Sequence, residues 1–213
     1  MLLYYITDRR GFPGNEAEQR AALLRCVAEA ARSGVDYIQL REKDLSHADL
    51  ELLAHEVVHL VRENSKTARL LISTHTDVAL IVGADGVHLP ANAPPVQTIR
   101  ELWLRQSETQ PIIAVSAHRC SDVQKAELAG ANFVVLAPIF EKRAIHAEGI
   151  GLQALHDSCG VTGIPVLALG GVNLSNARDC LAAGAAGISG IRLFQQGDVS
   201  STVAALRKLP PRP

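Results

Sequence analysis

Short apolar runs of about five residues alternate along the whole chain with segments whose apolar positions recur at helical spacing. Leu2–Thr7 predicts a strand, and Glu16–Arg32 predicts a helix with Ala, Leu and Val on one face. Tyr37–Leu40 predicts the second strand, followed by a helix capped by Ser46 and running to Arg62. Leu70–Ser73, Gly86–Leu89, Ile112–Ser116 and Phe133–Ala137 predict strands three to six. The helices between them are expected over Thr76–Val82, from Pro94-Pro95 to Arg105, and over Ser121–Ala129. After a loop from Pro138 to Gly149 come a helix near Leu152–Cys159 and a seventh strand, Val166–Leu169. A helix capped by Asn173 or Ser175 and running to Ala183, a strand over Ala186–Ile191 and a helix over Val199–Lys208 complete the pattern. Eight strands alternate with eight helices.

A faint repeat organises this alternation. SGVDYIQL, VGADGVHL, AGANFVVL and AGAAGISG precede or form the second, fourth, sixth and eighth strands, each with a helix-ending glycine, a small residue and then the strand. The regular count and the two-unit repeat predict an α/β fold, a closed TIM (β/α)8 barrel, in preference to an open doubly wound sheet. A single domain over residues 1–213 is expected, with 209–213 as a Pro-rich tail.

Composition narrows the function classes. Nearly half of the 213 residues are apolar, few are aromatic, and the formal net charge is −1 without a long block of either sign. Nucleic acid and anionic membrane are therefore poor partners. The start, MLLYYITDRR, has no basic leader and no long apolar core, and no apolar run approaches a membrane span, so a cytoplasmic location is expected. Cys26, Cys120, Cys159 and Cys180 lie far apart without CxxC spacing, and no histidine pair has HExxH spacing. Free thiols and no zinc site are expected.

In a barrel, residues at strand exits carry chemistry and residues at strand entrances carry stability. Asp36, Asp85 and Asn132 precede strands and are assigned structural roles. Gln39, Arg41 and Lys43 alternate at the end of strand two and suit an anionic group, Arg as a planar fork and Lys as a point charge. The competing reading is a rim ion-pair network with Glu42 and Asp44. His118 follows strand five and is the candidate acid/base, since imidazole both gives and takes a proton near neutral pH; Ser116 would orient substrate or water. His75 and His88 also lie at exits without a settled role, whereas His47, His55, His59, His146 and His156 are expected to be solvated. Gly170-Gly171 ends strand seven, where outward N–H groups suit a phosphate. A plain tight turn remains the alternative there.

Six motifs, YITD (Tyr5–Asp8), IQLREK (Ile38–Lys43), GADGVHL (Gly83–Leu89), VSAH (Val115–His118), APIF (Ala137–Phe140) and PVLALGGV (Pro165–Val172), resemble the thiamine phosphate synthases and their relative, the thiazole tautomerase TenI. The resemblance covers nearly the whole chain and implies a TIM barrel. It implies a phosphate grip at Gly170, Gly171 and the backbone of Ile191-Arg192, although the family commonly has Ser where this chain has Arg192. It implies an acid/base at His118, while the strand-exit residues Gln39, Arg41, Lys43, Ser73 and Ser116 are expected to bind substrate.

The synthase joins a pyrimidine pyrophosphate to a thiazole phosphate and needs Mg²⁺ held by carboxylates. The family writes an Asn-Asp pair where this chain has Ser73-Thr74, and an acidic residue where it has Ala93. The family's Thr-x-Thr-Lys run after strand six reads Glu141-Lys142-Arg143-Ala144-Ile145. The expectation is therefore a metal-independent tautomerase of a carboxylated thiazole phosphate, with no cofactor and with a homodimer left open. The alternatives are a divergent Mg²⁺-dependent thiamine phosphate synthase and a non-catalytic binder of a thiamine-related phosphate. An unrelated sugar-phosphate isomerase is more distant.

Overall fold

In the computed structural model, which describes residues 1–140 and 148–210, the sheet runs in sequence order and closes on itself. The strands are β1 (Leu2–Ile6), β2 (Tyr37–Leu40), β3 (Arg69–Ser73), β4 (Gly86–Leu89), β5 (Ile112–Ala117), β6 (Phe133–Leu136), β7 (Val166–Ala168) and β8 (Gly187–Gly190). All neighbouring pairs are parallel, and β8 returns to β1 in a register from Leu2–Gly187 to Tyr5–Gly190. The helices are α1 (Glu16–Arg32), α2 (His47–Asn64), α3 (Thr76–Val82), α4 (Val96–Leu104) and α5 (Cys120–Leu128). They continue as α6 (Gly151–Gly160), α7 (Ala177–Ala182), α8 (Arg192–Gln195) and α9 (Val199–Arg207). The α/β barrel read from the sequence is the fold observed.

The sequence repeat has a physical cause. Gly34, Gly83, Gly130 and Gly184 each end a helix at positive φ, a backbone state that costs glycine nothing. The next residue's N–H then reaches back five residues in every case: Val35 to Ala30, Ala84 to Ala79, Ala131 to Ala126 and Ala185 to Cys180. The chain leaves these four helices in the same direction, toward the next strand. Asp36 accepts the N–H of Leu3, Asp85 that of Leu70 and Asn132 that of Ile113. These side chains close the strand entrances, as expected of the barrel's bottom face.

The main core fills the space between strands and helices, with Leu3, Ile38, Leu40, Leu70, Ile72 and Val87 on the outward faces of their strands. Helix starts follow local rules where a side chain is available. Asn15 and Glu18 form a reciprocal capping box on α1, and Ser46 caps α2 by accepting the N–H of Asp49.

Three details differ from the sequence reading. Neither Asn173 nor Ser175 caps α7, because both are consumed in the preceding turn. Asn173 Oδ1 accepts the N–H and hydroxyl of Ser175, and the helix starts only at Ala177. A 3-10 turn at Arg9–Gly11 and the short α8 were not expected. The β2 strand ends at Leu40, so the alternation read through Lys43 stops before Arg41.

No helix among the described residues is long and apolar enough to cross a membrane. The four cysteines form no disulfide with one another. The expected departure at 141–145, His146 and the tail beyond Pro210 lie outside the described residues.

Candidate functional site

The inside of the barrel changes character along its axis. Tyr4, Leu71, Ala114, Phe133, Val135 and Leu167 form an apolar plug, with the Phe133 ring 5.5 Å from Tyr4 and 4.8 Å from Tyr37. Strand alternation then turns Gln39, Ser73, His88, Ser116 and Ser189 inward as well. Each stands two residues closer to its strand's exit than Tyr37, Leu71, Gly86, Ala114 and Gly187 respectively. The polar half thus lies toward the end where a barrel carries chemistry.

His88 is the centre of this polar half. Its Nδ1 lies 2.9 Å from the Tyr4 hydroxyl and its Nε2 lies 2.9 Å from Ser116 Oγ. Burial, helped by the charge of Arg41, pushes its pKa down to about 3, so the ring is neutral. One ring nitrogen therefore donates and the other accepts. Ser116, read as a substrate-orienting hydroxyl, already holds a fixed partner. Gln39 Oε1 and Ser189 Oγ are buried and have no hydrogen-bond partner among the described residues. Such atoms are costly to leave unmatched and suit a ligand's polar groups.

The β1 and β2 exits are tied by a network that the sequence reading drew with the wrong cations. Arg9 forms a two-pronged pair with Asp44, at 2.7 and 2.9 Å, and also reaches Glu42 at 3.3 Å. Glu42 further accepts the Arg9 N–H at 3.0 Å and the Thr7 hydroxyl at 2.6 Å. The same Thr7 oxygen accepts the N–H of Arg41 at 2.9 Å. Burial pushes the Glu42 carboxyl up despite the opposing pull of Thr7 and Arg9, whereas hydrogen bonds from Arg9 hold Asp44 below its ordinary range. Glu42 and Asp44 are thereby committed to Arg9. Arg41 and Lys43 form no ion pair with a carboxylate among the described residues.

Arg9 was missed because a single arginine after a strand looks like solvated charge. The signal was its position beside the acids of REKD once the first two strands are paired.

His118 follows β5 and is exposed. Its Nδ1 lies 2.8 Å from the Ala137 carbonyl oxygen, which only accepts, so Nδ1 carries the proton. In the neutral ring Nε2 then keeps a lone pair. The His118 N–H donates to Asp122, which anchors the start of α5. Gly170 has φ 94° and Gly171 φ 70°. A Cβ on Gly170 would lie 2.7 Å from Pro138 Cα, so only glycine lets the β6 and β7 exits approach this closely. The N–H groups of Gly171 and Val172 donate to no hydrogen bond among the described residues. Ile191 and Arg192 begin α8 at the neighbouring β8 exit, with Arg192 exposed. Lys43 is also exposed and stands on the loop, apart from the inward row of Gln39, Ser73 and Ser116.

The positions expected to hold Mg²⁺ do not fit that ion. Thr74 is exposed and brings one hydroxyl from a residue at φ 70°, and the half-buried Ala93 brings no donor. A hard divalent cation at such a place draws its affinity from carboxylates.

A family model described as thiamine monophosphate synthase matches residues 3–194. A putative thiamine-phosphate synthase 2 of Aquifex aeolicus is 39% identical over 194 residues, covering 90% of this chain and 96% of the relative. A thiamine-phosphate synthase of Clostridium novyi is 35% identical over 199 residues, covering 92% and 91%. Among solved structures, a thiamine phosphate pyrophosphorylase from Pyrococcus furiosus superposes with a TM-score of 0.81 at 31% identity, covering 98% of this chain and 94% of that one.

Proposed function

This chain belongs to the thiamine monophosphate synthase family, and from that premise we propose that it is a thiamine phosphate synthase, joining a pyrimidine pyrophosphate to a thiazole phosphate. The observation that carries the reading is the named relatives, which match nearly end to end and are called synthases; they favour it over the tautomerase expected from the sequence. The mouth is consistent with two anionic substrates. Gly171, Val172 and the start of α8 offer N–H groups for the thiazole phosphate, with Arg192 beside them. Arg41 and Lys43, unpaired with acids among the described residues, would hold the diphosphate as its bond to the pyrimidine carbon breaks and the electron pair leaves on oxygen. Gln39 and Ser189 would orient the pyrimidine, whose ring offers donors and acceptors.

The tautomerase reading keeps one specific observation in its favour. The β3 and β4 exits present Thr74 and Ala93 in place of carboxylates, while His118 holds an accessible ring with a defined proton. In that reaction His118 would pass one proton, and Lys43 or Arg41 would hold the carboxylate.

A paired assay separates the two readings. Purified protein is given the pyrimidine pyrophosphate with thiazole phosphate, and separately the carboxylated thiazole tautomer, each with and without Mg²⁺. Coupled product supports the synthase. Tautomerisation without coupling overturns it in favour of the second reading, and tight binding of thiazole phosphate with neither turnover leaves a binding protein.

A further inference from the structure

Outside the barrel mouth proper, the fold gathers three side chains that no sequence spacing connects. His47 is the first residue of α2, directly after the β2 exit loop, and His75 and Asp77 flank the start of α3, directly after β3. One donor atom from each lies within 4.8 Å of the other two, and all three residues are exposed. His47 Nε2 stands 2.7 Å from Asp77 Oδ2, and the two imidazoles meet edge to face with centroids 5.5 Å apart. The two histidines are 28 positions apart by their numbers, which is why no motif search brings them together.

We propose that His47, His75 and Asp77 form a divalent transition-metal site on the rim between the β2 and β3 exits. Two imidazoles and one carboxylate are a donor set for zinc, cobalt or nickel, whereas magnesium and calcium prefer oxygen ligands throughout. Metal–nitrogen and metal–oxygen bonds of about 2.0–2.2 Å place tetrahedral donors roughly 3.3–3.5 Å apart. That spacing falls between the 2.7 Å contact and the 4.8 Å limit of the present cluster. The ion would replace the hydrogen now shared between His47 and Asp77. With three protein donors the site keeps at least one position for water or an anion, as open zinc sites do.

The backbone under the cluster is held. The N–H of His75 donates to the Ser73 carbonyl, Thr74 between them sits at φ 70°, and the N–H of Ala79 donates back to the His75 carbonyl. A threonine kept at positive φ is strained and persists only where its surroundings require it. Here that bend delivers His75 to the rim beside His47. The inference stands apart from the choice between synthase and tautomerase, because it concerns binding of the metal alone.

The test uses untagged full-length protein titrated with cobalt(II), read by its d–d absorption, followed by zinc competition. One cobalt per chain is expected, with the intensity of a four- or five-coordinate ion, displaced by zinc. Affinity should fall roughly tenfold or more for each ligand removed in His47→Ala, His75→Ala and Asp77→Asn. These residues are exposed, and circular dichroism checks that the variants remain folded. A His55→Ala/His59→Ala variant, which removes another histidine pair one helical turn apart on α2, should bind as the parent does. Absence of a one-to-one complex overturns the proposal, and so does a complex that survives loss of both His47 and His75 or disappears with His55 and His59. Any of these results leaves the His47–Asp77 contact as a clip between α2 and α3.

Discussion

Acidifying the protein from about pH 7 to about pH 5 should cost it stability through one side chain, His88. In the unfolded chain its imidazole returns to the ordinary value of 6.5, while in the barrel burial and then Arg41 hold it at about 3. The folded value lies below the unfolded one. The neutral ring's contribution is therefore complete above 6.5 and is lost as pH falls toward 3. Between those values the unfolded state binds one proton more, and stability drops by about 1.4 kcal/mol per pH unit. By about pH 5 the loss is about 2 kcal/mol, and across the whole window it approaches about 5 kcal/mol. For a chain of this size about 2 kcal/mol corresponds to roughly 4–8 °C in Tm.

The assay is thermal or urea unfolding from about pH 7 to about pH 5, comparing the parent with His88→Asn. Asparagine keeps one donor and one acceptor but does not titrate. Its lower baseline is immaterial, because the comparison is between slopes and every other histidine is common to both proteins. The parent should lose about 2 kcal/mol more than the variant over this range. Parallel curves would refute the argument, showing either that the ring becomes protonated inside the barrel or that the unfolded state gains no proton there.

Four further outcomes follow from the same structure. Arg9→Leu should destabilise the fold by about 3–5 kcal/mol in urea unfolding, because it strands the buried Glu42; adding Glu42→Gln should restore part of the loss. Gly170→Ala should cost about 2–4 kcal/mol from positive φ and overlap with Pro138, and calorimetry should find weaker binding of thiazole phosphate. Thr74→Gly should raise stability by up to about 1 kcal/mol in thermal unfolding, since glycine has no Cβ to strain at the positive φ in the tight turn that the His75 N–H closes onto the Ser73 carbonyl. His118→Asn should lower turnover about a hundred- to ten-thousandfold if the tautomerase assay is the positive one, with thiazole phosphate binding unchanged.

The order of strands and helices was written in local chemistry, and so was the barrel. Apolar runs of strand length, helices closed by glycine at four equivalent places, and acids set just before strands act over a few residues, so they are legible one after another. The inward positions of Gln39, Ser73 and Ser116 follow from the same two-residue period within a strand. That period could not carry past Leu40, where β2 ends and loop geometry takes over.

Partnership between distant segments was decided only by closing the barrel. Glu42 and Asp44 stand next to Arg41 and Lys43 in the chain, yet both acids pair with Arg9, more than thirty residues away, because β1 and β2 exit side by side. His88 gave no sign of its role until Tyr4 and Ser116 arrived from other strands and excluded water from it. His47 met Asp77 in the same way, across two loops. Charge pairing and desolvation depend on what lies within a few ångströms in space, and a linear sequence does not display that distance.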